Sequence, residues 1–295
     1  MNKYLFGIYR VVVPKPIRTA ILKKSLRKKI LDHFASMPPA EISEEHREII
    51  TFLQHNPLGI FSYDFGLQYH PSEIEVFHDG ELKMNFVNLD GRKLYFKKRW
   101  GPSRIRRGFS DLMREQDPES PHRYLTPDFS VSEDDVVADI GAAEGNFSLS
   151  VIEKVRKCYL FEYNRDWASA LNVTFAPFGE KAAIINKMVS DRNDNSHIRL
   201  DTFLDEHKDV TLLKIDVDGA EEEVMRGCLE ILKSNRPLRI LFCTYHKAGD
   251  ERTYTDLLAH YGFRVKPSRG FMIPFYDKKI KAPWLRRGLI RAVRK

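Results

Sequence analysis

The chain lacks the features that identify secreted, zinc-binding and membrane-spanning proteins. Its 295 residues include only three cysteines, none at the short spacing of a metal or redox motif: Cys158, Cys228 and Cys243. An odd set of cysteines inside predicted helices and strands indicates reduced packing residues in a cytoplasmic protein, without a disulfide or zinc site. The apolar run Tyr4–Val13 is interrupted by Arg10 and ends at Pro14. It is too short to span a bilayer, and we expect no secretory signal.

Acidic residues are absent from both ends of the sequence. Residues 1–30 contain nine Lys or Arg and residues 278–295 contain eight, with no Asp or Glu in either segment. The middle, 31–277, therefore holds 31 basic and all 41 acidic residues, a net charge of −10. Enzymes acting on nucleic acid need basic surface beside the active site, because phosphate contacts supply most of the affinity. The acidic middle thus argues against a nucleic-acid partner.

A glycine-containing turn is the first candidate ligand site. Residues 136–147 are typical of a buried strand, a turn at Gly141 and the start of a helix. The turn lacks the central glycine of the dinucleotide pattern G-x-G-x-x-G, and Glu144 would place negative charge where a pyrophosphate binds. A phosphate loop ending in Gly-Lys-Ser/Thr is also absent. The pattern Asp-x-Gly-x-x-x-Gly favours S-adenosylmethionine, which has an amino acid tail and no phosphate.

Glu162 ends the next apolar run, 21 positions after Gly141. A carboxylate there can accept hydrogen bonds from both ribose hydroxyls of a nucleoside cofactor. Ser190 and Asp191 follow a predicted strand at 183–189 and would meet the adenine amino group. The predicted cofactor-binding residues are Asp139, Gly141, Ala142, Glu144, Gly145, Asn146, Phe147, Glu162, Tyr163, Ser190, Asp191 and Asp216.

A second candidate site follows the predicted strand 211–217. Strand alternation puts Lys214, Asp216 and Asp218 on one side, so that Asp216 leaves the sheet at its carboxyl edge. Three roles stay open for Asp216: binding the cofactor amino group, acting as general base, or ligating a cation. Adenine and cytosine amino-methyltransferases tend to carry Asn/Asp-Pro-Pro-aromatic at this point. The motif is absent here, which argues against base methylation.

Lys214 and His246 complete the predicted catalytic residues. His246 comes just after the next strand, and the ordinary pKa of histidine suits proton transfer near neutrality. A surface histidine in a loop is the alternative interpretation. Lys214 is expected to pair with Asp216 or Glu221 and to lower their pKa values. Asp216 and Asp218 could share Mg²⁺, but two carboxylates are a weak metal signature and we predict no metal site.

Together these residues resemble the FkbM family of S-adenosylmethionine-dependent methyltransferases. The resemblance covers roughly residues 115–275 and is carried by Asp139-Ile140-Gly141-Ala142-Ala143-Glu144-Gly145, Phe161-Glu162, Lys214-Ile215-Asp216-Val217-Asp218-Gly219-Ala220-Glu221 and Thr244-Tyr245-His246. A narrower likeness to bacterial members associated with cell-surface glycan genes includes Glu115-Gln116-Asp117, Ser120-Pro121-His122-Arg123-Tyr124 and Arg286-Arg287-Gly288-Leu289-Ile290-Arg291-Ala292.

The resemblance implies a class I methyltransferase fold and S-adenosylmethionine as the cofactor. This fold is a Rossmann-like, doubly wound α/β sheet, mostly parallel, with an antiparallel C-terminal hairpin. The implied reaction is O-methylation of a glycan or glycolipid-linked sugar in cell-surface polysaccharide biosynthesis. A small-molecule or lipid acceptor is the alternative, and a catalytically silent cofactor-binding scaffold is a third reading.

We predict four regions along the chain. These are a basic amphipathic segment (1–37), an accessory helix with an antiparallel meander (38–125), the methyltransferase domain (126–277) and a basic amphipathic tail (278–295). The meander is expected to use strands at 60–63, 73–78, 83–89 and 93–99. The alternation of strands and helices predicts strands at 135–140, 158–163, 183–189, 211–217, 238–244, 263–266 and 271–276, with helices at 145–155, 165–175, 220–233 and 250–261.

The two basic ends carry large apolar side chains. From residue 20 to 37 one helical face contains Leu22, Leu26, Ile30, Leu31, Phe34 and Met37. Basic amphipathic segments with aromatic anchors suit an anionic membrane surface. Packing on the acidic body of the protein, or oligomerisation, is the alternative. We therefore expect a cytoplasmic protein that is peripheral on the inner face of the cell membrane.

Overall fold

A computed structural model describes residues 14–295. The apolar run Tyr4–Val13 therefore lies outside the described residues, and only part of the predicted segment 1–37 can be compared. The described chain begins with helix α1 (Lys15–Ala35) and helix α2 (Glu44–His55). Helix α2 starts after Ser43, because the Oγ of Ser43 accepts a hydrogen bond from the backbone N–H of His46 at 3.3 Å and so caps the helix.

The predicted apolar face of α1 packs on the protein itself. Leu26, Ile30 and Phe34 are buried in a cluster formed with α2 and with residues 272–285. The structure therefore supports packing of this face on the body of the protein, which was the alternative to membrane binding. In the part of the chain that the structure describes, no helix is both long and apolar enough to cross a membrane.

The accessory region contains the predicted antiparallel meander in a shorter form. Its strands are β1 (Phe77–Asp79), β2 (Met84–Leu89) and β3 (Arg92–Tyr95). The strand expected at 60–63 does not form. A helix that the sequence reading missed, α3 (Pro102–Glu115), follows the meander. It begins at a proline, which is favourable in the first turn, and buries only a narrow stripe containing Ile105 and Phe109.

The main domain is a seven-stranded sheet with helices on both faces. Its strands are β4 (Val136–Ile140), β5 (Lys157–Phe161), β6 (Ala182–Ile185), β9 (Leu212–Ile215), β10 (Leu238–Cys243), β11 (Arg264–Pro267) and β12 (Leu289–Arg294). Their order is β11-β12-β10-β9-β4-β5-β6. Neighbours from β10 to β6 pair in parallel, whereas β12 is antiparallel to both β10 and β11. The predicted doubly wound sheet is thus confirmed.

The connections follow the predicted alternation with shorter helices. They are α4 (Asn146–Val151), α5 (Arg165–Phe175), α6 (Leu200–Glu206), α7 (Glu221–Arg226), α8 (Leu229–Lys233) and α9 (Asp250–His260). A small parallel pair, β7 (Met188–Val189) and β8 (His197–Ile198), lies beside the main sheet. The expected helix 220–233 is interrupted at Gly227, where a Cβ atom would lie 2.0 Å from the carbonyl oxygen of Ser190.

The prediction for the C-terminal region was wrong. Residues 278–295 do not form an amphipathic tail, because residues 289–294 are the buried strand β12 inside the sheet. The predicted strand 271–276 does not form, so the partner of β11 comes from further along the chain. Arg291 and Arg294 point inward and donate hydrogen bonds to backbone carbonyls. The main domain therefore extends beyond 277 to Arg294.

Candidate cofactor and acceptor site

The turn after β4 brings two strand ends into direct contact. Gly141 has a φ of +77°, and a Cβ atom there would lie 2.0 Å from the carbonyl oxygen of Asp216. Only glycine combines this backbone conformation with so close an approach. The turn also holds Ala143 at a φ of +48°, a strained value for a residue with a side chain. The sequence thus places the backbone of the turn at the carboxyl edge of the sheet, next to Asp216.

Glu162 lies at the end of β5 with its carboxylate held by the backbone. Its Oε2 accepts a hydrogen bond from the N–H of Ala143 at 2.9 Å, and its Oε1 accepts one from the N–H of Asn164 at 2.7 Å. Burial raises the pKa of the carboxyl, while these two N–H groups lower it. Each oxygen keeps a second lone pair. The carboxylate is therefore oriented and still able to accept two hydroxyl donors.

A cavity of about 420 Å³ joins Glu162 to Asp216. Its size is within the range of pockets that bind small ligands. Four predicted site residues line it: Gly141, Glu162, Tyr163 and Asp216. Sequence reasoning missed other lining residues, which include Lys187, Met188, Val189, Val217, Asp218 and Tyr245. A larger cavity of about 730 Å³ lies near α6 and α8, away from these strand ends.

Ser190 and Asp191 do not line the cavity. Strand β6 ends at Ile185 instead of 189, so the segment at the carboxyl edge is Lys187 to Val189. Ser190 is buried beneath Gly227, and Asp191 forms an ion pair with Arg226 at 2.9 Å. The adenine-binding prediction therefore moves from these two residues to the apolar pair Met188 and Val189.

Apart from Ala143, which lines the cavity, the rest of the glycine turn is not part of the cavity lining. Ala142 is buried, and a Cβ atom on Gly145 would lie 2.5 Å from Leu171, so this glycine permits close packing of α4 on α5. Asn146 and Phe147 line a separate cavity between α3 and α4, also about 420 Å³. The structure does not place these four predicted residues at the cavity between Glu162 and Asp216.

Lys214 and Asp139 are partners inside the sheet. The Lys214 Nζ lies 2.9 Å from Asp139 Oδ1 and donates to the Gly141 carbonyl at 2.8 Å. Burial would lower the pKa of Lys214, but Asp139 and Asp216 raise it above its ordinary value. Ser148 donates to the other Asp139 oxygen at 2.7 Å. The predicted pairing of Lys214 with Asp216 or Glu221 was wrong, because Asp139 occupies the adjacent position on β4.

Asp216 is the centre of a cluster drawn from three segments. Its Oδ2 accepts a hydrogen bond from the Tyr124 hydroxyl at 2.8 Å and lies 3.5 Å from His122 Nε2. Its Oδ1 lies 3.5 Å from the Tyr245 hydroxyl. Burial would raise the pKa of Asp216, but His122 and the charge of Lys214 hold it well below the ordinary value. Asp216 is therefore an ionised acceptor of hydrogen bonds.

His246 is surrounded by carboxylates. Its Nδ1 lies 2.7 Å from Glu221 Oε1, and its Nε2 lies 3.4 Å from Asp218 and 3.6 Å from Asp216. Burial lowers the pKa of His246, but the neighbouring carboxylates outweigh it and raise the pKa to about 10. The ring is therefore cationic at neutral pH. The predicted role as a general base near neutrality does not fit this environment.

Two further carboxyl groups lie near the cluster. Glu115, at the end of α3, has a pKa raised to about 7, mainly by burial and then by the negative charge of Asp216. Glu144, in the glycine turn, also has a pKa raised to about 7, mainly by burial and with Glu115 among the contributing charges. Both are thus poised to change protonation near neutrality.

Two sets of side chains have the composition of metal ligands. One donor atom each of His122, Asp216 and Cys243 lie within 4.8 Å of one another. Burial raises the pKa of the Cys243 thiol well above its ordinary value, which disfavours the thiolate that a metal requires. Between Asp216 and Asp218, the cationic His246 occupies the position suited to a metal ion. Both sets are better described as hydrogen-bonded and charge-paired clusters.

Comparison with known proteins connects this site to one family. The family model described as "Methyltransferase FkbM domain" matches residues 115–265. No curated protein sequence matches the chain. Among solved structures, a methyltransferase FkbM from Methylobacillus flagellatus KT is 15% identical with a TM-score of 0.43. The match covers 65% of this chain and 54% of that one, so the chain spans about half of that protein's length.

Other solved structures match this chain at similar sequence identity. A precorrin 8W decarboxylase from Methanobacterium thermoautotrophicum is 15% identical, with a TM-score of 0.36 and coverage of 55% of this chain and 82% of that one. A putative RNA methyltransferase from Pyrococcus horikoshii is 16% identical, with a TM-score of 0.35 and coverage of 76% and 92%. The fold is established by the sheet of this structure itself, which is mostly parallel with antiparallel C-terminal strands, as expected from the sequence.

Proposed function

Because the chain belongs to the FkbM methyltransferase family, we propose that it methylates a hydroxyl of a glycan or glycolipid-linked sugar, as a step in cell-surface polysaccharide biosynthesis. The family implies S-adenosylmethionine as the methyl donor. One observation carries the proposal: Glu162 and Asp216, which follow two different strands, both line one cavity at the carboxyl edge of the sheet. One cavity thus contains a carboxylate suited to bind a nucleoside, Glu162, and a carboxylate suited to contact the acceptor hydroxyl, Asp216.

The residues at the Glu162 end fit a nucleoside. The Glu162 carboxylate is fixed by two backbone N–H groups and retains acceptor capacity for two ribose hydroxyls. Met188 and Val189 offer an apolar surface for a flat base. When bound, S-adenosylmethionine supplies an electrophilic methyl group, so the protein has to align an acceptor oxygen and remove its proton.

The residues at the Asp216 end fit the alignment of a hydroxyl. Asp216 is ionised, and its carboxylate is held by the Tyr124 hydroxyl, so it can accept a hydrogen bond without moving. Its depressed pKa makes it a weak base, since efficient proton transfer needs a pKa near the working pH. We therefore give Asp216 an orienting role. The cationic His246 stabilises the negative charge of the carboxylates around it.

Glu115 is one of two carboxyl groups, with Glu144, whose pKa suits a general base, and we assign the role to Glu115. Its pKa of about 7 lies near neutrality, and its charge interacts with those of Asp216 and Lys214. The adjacent Gln116 accepts a hydrogen bond from the N–H of Tyr124 at 3.2 Å, which ties the end of α3 to the cluster. In this assignment Asp216 orients the acceptor hydroxyl and Glu115 removes its proton.

Calorimetric titration with S-adenosylmethionine and S-adenosylhomocysteine tests the cofactor first. We expect micromolar binding, and an absence of binding to both would support the silent scaffold instead. Transfer of an isotopically labelled methyl group to a panel of saccharides, lipid-linked sugars and small hydroxylated compounds then tests the acceptor. A labelled methyl ether on a sugar is the expected product. Labelling of only small molecules or simple lipids would contradict the glycan assignment.

Asp216→Asn and Asp205→Asn form a matched pair for the reaction. Both remove one carboxylate charge, but the Asp205 side chain is 81% exposed and outside the cavity, whereas that of Asp216 is 15% exposed and lines it. We expect Asp216→Asn to lower turnover by about 100-fold or more, in the range of a positioned group. The Asp205 variant should retain most activity. Equal turnover in the two variants would remove Asp216 from the mechanism.

A further inference from the structure

The outer face of α1 is an exposed surface that the packing of the helix leaves uncovered. Ile17, Ile21 and Leu22 are about half exposed, at 51%, 51% and 48%. Ile17 and Ile21 lie on the side away from the buried residues Leu26 and Ile30, whereas Leu22 precedes Leu26 by one turn and lies at the edge of the packed face. Three isolated aliphatic side chains in solvent are unremarkable on their own. On α1, however, they lie beside exposed lysines, so the surface combines aliphatic and cationic side chains.

Lysines continue the stripe that the aliphatic residues begin. Ile17, Ile21, Lys24 and Lys28 follow at the spacing i, i+4, i+7 and i+11, which is one face of a helix. Lys24 is exposed, and the Lys28 side chain is 76% exposed. The neighbouring loop adds three more exposed cations: Lys278, Lys279 and Lys281. We call this set of α1 and loop residues the cationic face.

The loop part of the cationic face follows Phe275 and Tyr276, which lie between α1 and the acceptor cluster. The Lys23 Nζ lies 4.3 Å from the centre of the Phe275 ring, and Phe275 contacts Tyr276 at a ring distance of 5.9 Å. Tyr276 is half exposed, and its hydroxyl has a pKa raised to about 12, by burial first and then by the charges of Asp218 and Asp216. The segment Phe275–Tyr276 thus links the packed side of α1 to the surroundings of Asp216.

We propose that the cationic face docks on an anionic lipid surface and presents the acceptor cleft to it. Lysines near a negatively charged bilayer surface attract it by about 1 kcal/mol each, and aliphatic side chains at the same face enter the headgroup region. The charge complementarity comes from α1 itself, since residues 15–30 contain seven Lys or Arg and no Asp or Glu. The nearest acidic residue, Asp32, pairs with Lys28 at 2.6 Å. The docking itself does not depend on the reaction, whereas the presentation of a lipid-held acceptor rests on the proposed function.

This surface differs from the one that the sequence suggested. The amphipathic face containing Leu26, Ile30 and Phe34 is committed to the protein core. The arginines of the C-terminal region bind carbonyl groups and carboxylates of the protein. The lipid surface that we propose is therefore the opposite side of α1, with lysines as its cations.

Sedimentation with vesicles tests the proposal on the full chain. The probe is a vesicle of equal parts phosphatidylglycerol and phosphatidylcholine, with pure phosphatidylcholine as the comparison. We expect binding to the anionic vesicle only, and weaker binding at high salt because exposed charges are screened. Lys24→Glu with Lys28→Glu should weaken binding by about 30-fold, since two attractive cations are lost. Ile17→Ser with Ile21→Ser keeps the charge and should also weaken binding.

A matched control carries the same charge change elsewhere. Lys208→Glu with Lys233→Glu alters two exposed lysines outside the cationic face, with side chains 77% and 55% exposed. This control should bind vesicles nearly as the wild type does. Equal losses in the control and the α1 variants, or no wild-type binding to anionic vesicles, would overturn the proposal. Cofactor binding is measured on the same proteins, so a failure of the proposed function would appear there and not in sedimentation.

Discussion

Lys214 Nζ lies 2.9 Å from Asp139 Oδ1, and both side chains are buried between β9 and β4. The pair joins β9 and β4, the two strands whose ends form the site. It therefore affects the stability of the fold first and catalysis only indirectly. A buried ion pair contributes little net stability, but removing one partner leaves an uncompensated charge. Sequence patterns alone suggested a catalytic lysine here.

Lys214→Met should therefore destabilise the fold. We expect a loss of about 3–5 kcal/mol in the free energy of unfolding, because Asp139 is left charged and buried. Urea unfolding measures it. The double variant Lys214→Met with Asp139→Leu should recover most of the loss, whereas Lys233→Met, at an exposed site, should change little. A normal stability for Lys214→Met would show that the pair is not needed.

Glu162→Gln should weaken cofactor binding while the fold persists. The amide can accept only through one atom, so it cannot keep both backbone N–H partners and still accept two ribose hydroxyls. We expect affinity to fall by about 10–100-fold, the range for hydrogen bonds to a charged group. Calorimetry measures it, with Glu153→Gln as the same change on an exposed side chain. Unchanged affinity would contradict the ribose assignment.

The pH dependence of turnover tests Glu115. As a base it acts only when deprotonated, so the rate should rise with pH through a midpoint of about 7 and then level. Glu115→Gln should lower the plateau by about 100-fold and abolish this midpoint. Glu119→Gln changes a nearby exposed carboxyl and should keep the wild-type profile. If Glu115→Gln retains both rate and midpoint, another group is the base.

The raised pKa of His246 predicts that the stability of the fold depends on pH. Its pKa in the folded protein is about 10, above the value of 6.5 for an exposed histidine, so the folded state binds the proton more tightly. This contribution is fully present below pH 6.5 and is lost as the pH rises to about 10, with a slope of up to about 1.4 kcal/mol per pH unit. Denaturant unfolding at several pH values measures it.

His246→Gln should remove that part of the slope. The difference in unfolding free energy between wild type and variant should shrink steadily from pH 6.5 to 10. His55→Gln, a change at the end of α2 away from the carboxylate cluster, is the control and should leave the slope intact. Parallel slopes for the wild type and His246→Gln would mean that the ring is not held as a cation.

The sequence predicted the parts of the site that follow directly from strand ends. Glu162 and Asp216 both end parallel strands, and the carboxyl ends of neighbouring parallel strands meet at one edge, so their proximity could be derived. Ser190 and Asp191 were misplaced because β6 ends four residues before the predicted boundary. Errors of this size at strand ends are enough to exchange one set of lining residues for another.

Other parts of the site depend on contacts that no local pattern shows. His122 and Tyr124 reach Asp216 from more than 90 positions away in sequence, and no periodicity links these segments. The arginines near the C-terminus were misread because composition alone cannot separate a guanidinium that binds phosphate from one that binds carbonyls. Arg291 in fact donates to the carbonyl of Tyr124 at 3.0 Å and thereby supports the cluster.

The insertion of β12 between β10 and β11 has a consequence for solubility. On one side β12 pairs with six residues of β10, a strand whose inward residues are almost all buried and apolar. Without residues 289–294, β10 would be an uncovered hydrophobic edge, the kind of strand that recruits other chains into aggregates. The C-terminal strand therefore covers the edge of β10 and prevents it from pairing with other chains. It also supports the residues around Asp216.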